Sequence, residues 1–191
     1  MSWKDRDNNC HAVAGMLSGT LLTFGSETVI ISSGLCGGNM ALVNSGAGQY
    51  VSCYQHTNTN AYCRVLSVAG ITITQGDISM IIGVNKDMCD ISMIPGTSNF
   101  VATYQSTQSG EYEFGVARIG TISDASIITF GQAIMFNAGL TGFISSSIDA
   151  TTSKLLVTYS DKSNNHYGTA RVGIISGTSI SFGITIHDKL Y

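Results

Sequence analysis

The chain has 191 residues, 43% of them hydrophobic and only 11% charged, so it is long enough to bury a core while its polar surface is made of Ser, Thr, Asn and Gly. Nine basic against twelve acidic side chains leave a net charge of −3, which argues against nucleic acid as a partner because that role needs a basic face. No apolar run approaches the roughly eighteen residues that span a bilayer, and the start is polar, so neither a transmembrane segment nor a signal peptide is expected.

In chain order, Trp3 stands just before a polar stretch, Asp5-Arg6-Asp7-Asn8-Asn9, which faintly resembles a calcium loop but lacks its glycine and terminal glutamate. Residues 12–25 then read as two strands around a turn at Gly19 and end in Phe24-Gly25. Strands are expected over 40–43, 50–54, 61–68 and 71–75, closing on Gln75-Gly76, and again over 88–94, 100–104, 115–122 and 126–130, closing on Phe130-Gly131. The single proline falls in a turn pair, Pro95-Gly96, where a missing N–H costs no ladder bond. Strands over 143–148, 154–159, 167–175 and 179–182 follow, with Ser179-Ile180-Ser181-Phe182 alternating polar and apolar as a half-buried strand does. No segment carries a helical period.

The closing marker therefore recurs at positions 24, 75, 130 and 182, spaced 51, 55 and 52 residues apart. A period near fifty means a propeller or an array. Four short antiparallel strands per unit make one blade, so the expected fold is all-β, a β-propeller of four antiparallel blades, with an open stack of sheets or a β-sandwich as the alternative. The whole chain reads as one repeat domain, with units over about 1–25, 26–76, 77–131 and 132–183 and a closing tail over 184–191. The first unit lacks its first strand. Its open edge needs a cover: the tail around 184–186 folding back, another copy of the chain, or a larger assembly, the first two being favoured.

The wording of the units, Val157-Thr158-Tyr159-Ser160-Asp161 followed by Tyr167-Gly168-Thr169-Ala170-Arg171-Val172-Gly173, resembles tandem propeller-type repeats of about fifty residues in uncharacterised proteins of tailed bacteriophages and environmental bacteria. The resemblance covers nearly the whole chain and implies a repeat type, not an activity. It implies a virion-associated or cytoplasmic protein whose partners are itself or other virion proteins.

Two repeated positions are the candidate ligand contacts. Trp3, Tyr54, Tyr104 and Tyr159 form an aromatic set, and Arg64, Arg118 and Arg171 a cationic one, with Val13 in the first unit. Such pairs suit several equal pockets for a neutral sugar, which stacks C–H groups on an aromatic face. The competing reading packs the aromatics between blades and ties the arginines to carboxylates or strand-end carbonyls. The five cysteines, Cys10, Cys36, Cys53, Cys63 and Cys89, cannot all pair and have no ligand spacing; they read as reduced, buried small hydrophobes, Cys53 with Cys63 being the one pair that adjacent strands could join. His11, His56, His166 and His187 and the scattered acids Asp90, Asp149, Asp161 and Asp188 form no catalytic or metal signature, so no catalytic residue, metal or cofactor is assigned.

The expected function is a non-enzymatic binding or structural module, a propeller associated with a phage particle for capsid decoration or attachment of the tail to a host surface. A free multivalent lectin for surface glycans is the first alternative, and a hydrolase or lyase on the same scaffold the second.

Overall fold

The computed structural model describes residues 2–7, 9–32, 34–35, 40–44, 48–56, 60–84, 90–107, 113–123 and 126–187. These residues form antiparallel sheets with no helix among them, and no sheet closes into a barrel. The first unit contains β1 (Ser2–Lys4), β2 (Cys10–Ala12), β3 (Gly15–Ser18) and β4 (Leu21–Phe24), and β5 (Thr28–Ile31) leads out of it. The second contains β6 (Gly34–Leu35), β7 (Met40–Asn44), β8 (Gln49–His56), β9 (Asn60–Ala69) and β10 (Thr72–Gln75), followed by β11 (Ser79–Val84). The third contains β12 (Asp90–Met93), β13 (Asn99–Thr107), β14 (Glu113–Ser123) and β15 (Ile127–Phe130), followed by β16 (Ile134–Asn137). The fourth contains β17 (Thr141–Ile148), β18 (Lys154–Asp161), β19 (Tyr167–Ser176) and β20 (Ser179–His187), hydrogen-bonded in that order as a plain meander.

The hairpin between third and fourth strands turns on Gly19, Gly70 or Gly177, each with φ near +60°, a conformation glycine adopts without steric cost. The chain does not leave the sheet at the closing marker. Beyond Gly25, Gly76, Gly131 and Gly183 it runs on beside the earlier half of the same third strand, placing Thr28 opposite Ala12, Ser79 opposite Cys63, Ile134 opposite Ala117 and Ile186 opposite Ala170. It then crosses to the second strand of the next unit, where Gly34 meets His56, Val84 meets Thr107 and Thr141 meets Asp161. Each linking segment is thus hydrogen-bonded to two units in turn, which joins the second and third units into one eleven-stranded sheet.

The expectation that residues 184–186 fold back onto the first unit is corrected here. Thr185–His187 pair with Thr169–Arg171 of their own unit, because the fourth strand simply continues along β19. Residues 188–191 lie outside the described residues. In the first unit β1 pairs with β2 alone among the described strands.

Alternation gives every sheet one face turned back to the preceding unit and one turned forward. Val51, Cys53, Cys63 and Val65, on the forward face of the second unit, share a core with Phe100, Ala102, Tyr104 and Val116 on the rear face of the third. Val101, Ala117 and Ile119 meet Leu155, Val157, Tyr159 and Ile180 of the fourth in the same way, and Cys10 and Ala12 meet Tyr54 and Leu66 of the second. Cys53 and Cys63 sit opposite one another on β8 and β9 and are disulfide-bonded, and Cys10 is disulfide-bonded as well. The reading of the cysteines as reduced is therefore corrected for these three, and the pair that adjacent strands could join, Cys53 with Cys63, is the one found joined. Cys36 and Cys89 lie outside the described residues.

The closing glycine is fixed by the next unit. A Cβ on Gly25 would stand 1.9 Å from the Ile71 carbonyl oxygen, one on Gly76 2.7 Å from that of Ser126, and one on Gly131 3.0 Å from that of Thr178. In each case the hairpin turn of the following unit lies against the glycine. Gly25→Ala is expected to lower stability by about 1–3 kcal/mol in urea unfolding, since backbone must move to admit the methyl group. Gly168→Ala, which meets nothing within 4 Å, is the control, and its change should stay within about 0.5 kcal/mol.

Candidate functional site

Strand register defines the repeated positions without reference to sequence likeness. Trp3 pairs with His11, Tyr54 with Tyr62, Tyr104 with Val116 and Tyr159 with Thr169. Two residues further along the third strand stand Val13, Arg64, Arg118 and Arg171. The structure therefore brings each tyrosine and its arginine onto the rear face of one unit, and it keeps the pairs of different units apart.

The tyrosines are buried between units. Tyr54 packs with Cys10 and Ala12 of the first unit and stacks on Tyr62 at 6.3 Å. Tyr104 lies in the core between the second and third units, and Tyr159 contacts the Phe136 ring at 5.1 Å. Burial raises the Tyr54 phenol above its ordinary pKa. Burial, with the Asp161 charge beside it, pushes Tyr159 up to about 12 against the opposing pull of Arg171, so both rings stay neutral. Neither these two nor Tyr104 offers a face on which a sugar could stack. The Trp3 side chain lies outside the described residues.

The arginines bind backbone carbonyls at the joints. Arg171 donates from Nη1 to the Phe136 carbonyl at 2.6 Å, and from Nη2 and Nε to that of Gly183 at 2.6 and 3.2 Å. Its guanidinium lies 5.7 Å from the centre of the Phe182 ring. Arg118 repeats half of this, with Nε donating to Gly131 at 2.8 Å and its guanidinium 5.7 Å from the Phe130 ring. Arg64 donates from Nη1 to the Ile30 carbonyl at 2.7 Å and to the Gln75 side-chain oxygen. Ile30 and Phe136 occupy equivalent places in the linking segments, so the same guanidinium nitrogen ties a unit to the segment entering from the unit before. Where Gln75 replaces phenylalanine, its amide donates to the Val29 carbonyl at 2.8 Å and extends the tie. Three of the accepting carbonyls, those of Ile30, Phe136 and Gly183, fall where the strand register shifts, so the charge-assisted bonds hold the backbone at these irregularities.

The other residues singled out from sequence serve local structure. Asp5 accepts from the Asn9 and Asp7 backbone N–H groups at 2.7 and 2.9 Å and lies 2.9 Å from His11 Nε2; these bonds, that to His11 foremost, lower its pKa to about 2. The Asp5–Asn9 stretch is thus an Asx-type turn. Asp149 accepts from Thr151 N–H at 2.9 Å and from the Thr152 hydroxyl at 2.5 Å, capping the turn that follows its strand. Asp90 has a role its isolated position conceals: buried at the third joint, it accepts from Ser146 N–H at 2.6 Å and from the hydroxyls of Ser145 and Ser146 at 3.3 Å, fixing the first strand of the next unit. Among the described residues no three His, Cys, Asp or Glu side chains form a metal-binding group.

One open cleft, about 680 Å³, lies on the forward face of the fourth unit, with Phe143, Thr158, His166, Ala170 and Ile186 in its lining. Thr158 and Ala170 are its floor. In the units before, the equivalent pairs Cys53 with Cys63 and Thr103 with Ala117 are covered by the following unit.

No family model matches the chain, and no curated protein or solved structure matches it. The site therefore rests on its own geometry. Arg171→Ala is expected to cost about 1.5–3 kcal/mol in urea unfolding with an unchanged slope, because it strips charged donors from two carbonyls. A loss below about 0.5 kcal/mol would show that the contacts are surface decoration.

Proposed function

We propose that the chain is a non-enzymatic structural module, a row of propeller-type blades that serves as a component of a larger particle. The observation that carries this reading is where the repeated residues go: Tyr54, Tyr104 and Tyr159 are packed between units, and the arginines are bound to backbone carbonyls at the joints. Repeated pockets for a glycan would need those side chains at the surface, so the lectin reading would need a different site. The apolar faces left exposed at both ends of the row are a second support, since contiguous exposed apolar surface marks contact with a partner. The low-charge, hydroxyl-rich composition suits a module that packs beside others. The phage setting, as capsid decoration or part of the tail, comes from the resemblance of its repeats.

The test is the distribution of the protein in its native source after density-gradient separation. Recovery in the particle fraction at a fixed ratio to the other particle proteins is the expected result. Recovery only as free protein would contradict the proposal.

A further inference from the structure

The two ends of the row are halves of the joint used three times within the chain. At the front end, the fourth unit presents Leu156, Thr158, Ala170 and Val172. By register these are the positions of Val51, Cys53, Cys63 and Val65 in the second unit and of Val101, Thr103, Ala117 and Ile119 in the third, all at most 1% exposed. In the fourth unit Leu156 is 44% exposed and Val172 36%, and Ile186 beside them is 63% exposed. At the rear end, Gly15 pairs with Phe24 and Leu17 with Leu22, as Gly173 pairs with Phe182 and Ile175 with Ile180 in the fourth unit. Ile180 is 5% exposed and its third-unit equivalent Ile128 is 4% exposed, yet Leu22 is 50% exposed, Phe24 51% and Leu17 69%.

The closing glycines point the same way. Gly25, Gly76 and Gly131 each lie against the hairpin turn of the following unit, whereas among the described residues a Cβ on Gly183 would meet only the Val172 carbonyl oxygen, at 3.7 Å. Gly183 keeps the residue type the joint requires and has no turn upon it. The turn at Gly19-Thr20 matches Gly177-Thr178, the turn that lies on Gly131, with the same positive φ at its glycine.

We propose that the forward face of the fourth unit docks on the rear face of the first unit of a second copy of this chain, so that copies join head to tail through a fourth version of the internal joint. The chosen occupant follows from continuity with the three joints on either side of the second and third units: the same positions are covered there by the same kind of face. Phe24 and Leu22 of one copy would lie over Leu156 and Val172 of the other, the turn at Gly19 would rest on Gly183, and the cleft floored by Thr158 and Ala170 would be filled. Because the two faces differ, the contact is heterologous, and it extends a ring or a filament rather than closing a two-fold dimer. The inference rests on the structural-module reading but fails separately, since a module can bind its particle as a monomer.

The experiment is sedimentation equilibrium of the purified full chain over a range of concentrations, with two variants that block opposite ends. Gly183→Val should leave the fold intact, since nothing among the described residues opposes its Cβ, yet weaken association at least about tenfold by overpacking the joint. Leu22→Asp should block the other end. Ile186→Asp, at an exposed position of the forward face, is a second block there if Gly183→Val perturbs folding. Expected is a wild-type mass that rises with concentration above 20.1 kDa, monomers for each variant alone, and a one-to-one dimer that grows no further when the front-blocked and rear-blocked variants are mixed. A wild-type monomer at every concentration, as when the two ends cover each other within one chain, would overturn the proposal. So would unchanged assembly of either variant, or a mixture that stays monomeric.

Discussion

An isolated four-stranded sheet with apolar residues on both faces cannot be stable in water, and this constraint governs the molecule. The burial of one face of a sheet against the next supplies the core three times over, and in no unit does a sheet supply its own second layer. Stability is consequently a property of neighbours. The second and third units have both faces covered, while the first and fourth each have one.

Several features of the repeat follow from that joint. The linking segment shares its hydrogen bonds between two units, so the backbone as well as the side chains couples them. The closing glycine is small because a turn of the next unit occupies the space of its Cβ, and the arginine is long because it must reach carbonyls at the joint. Glycine at 173 leaves room for the Phe182 ring, which lies 3.0 Å from the place of its Cβ and in turn underlies Arg171. Where the second unit puts Leu66 and Gln75 in place of that glycine and phenylalanine, Gln75 takes over as the partner of Arg64, so the two changes belong together.

The all-β class and most strands were legible in the sequence because periodic alternation and turn glycines are local signals that recur. What was not legible depended on the register between strands distant in sequence. The tail around 184–186 looked free to close the first unit because nothing local shows that β20 continues along β19 past a bulge at Gly183. Cys53 and Cys63 were visible as a pair that adjacent strands could join, and the alignment of β8 and β9 joins them, whereas nothing in the spacing of Cys10 marks it as disulfide-bonded. The aromatic and arginine positions were visible as repeats, but whether a repeated tyrosine lies in a joint or on a surface is decided by the neighbouring unit. Asp90 carried no signal at all, since its partners Ser145 and Ser146 belong to the next unit and have no fixed spacing from it.

The most direct test of a stability shared between neighbours is native-state hydrogen exchange on the dilute chain, followed peptide by peptide. Units covered on both faces should open last, so the slowest exchange is expected in β8, β9, β13 and β14, with β3 and β4 and the outer part of β20 exchanging faster. Equal protection across all four units, or the strongest protection in β3 and β4, would contradict the account, because it would mean that the end units are covered or are stable without a neighbour.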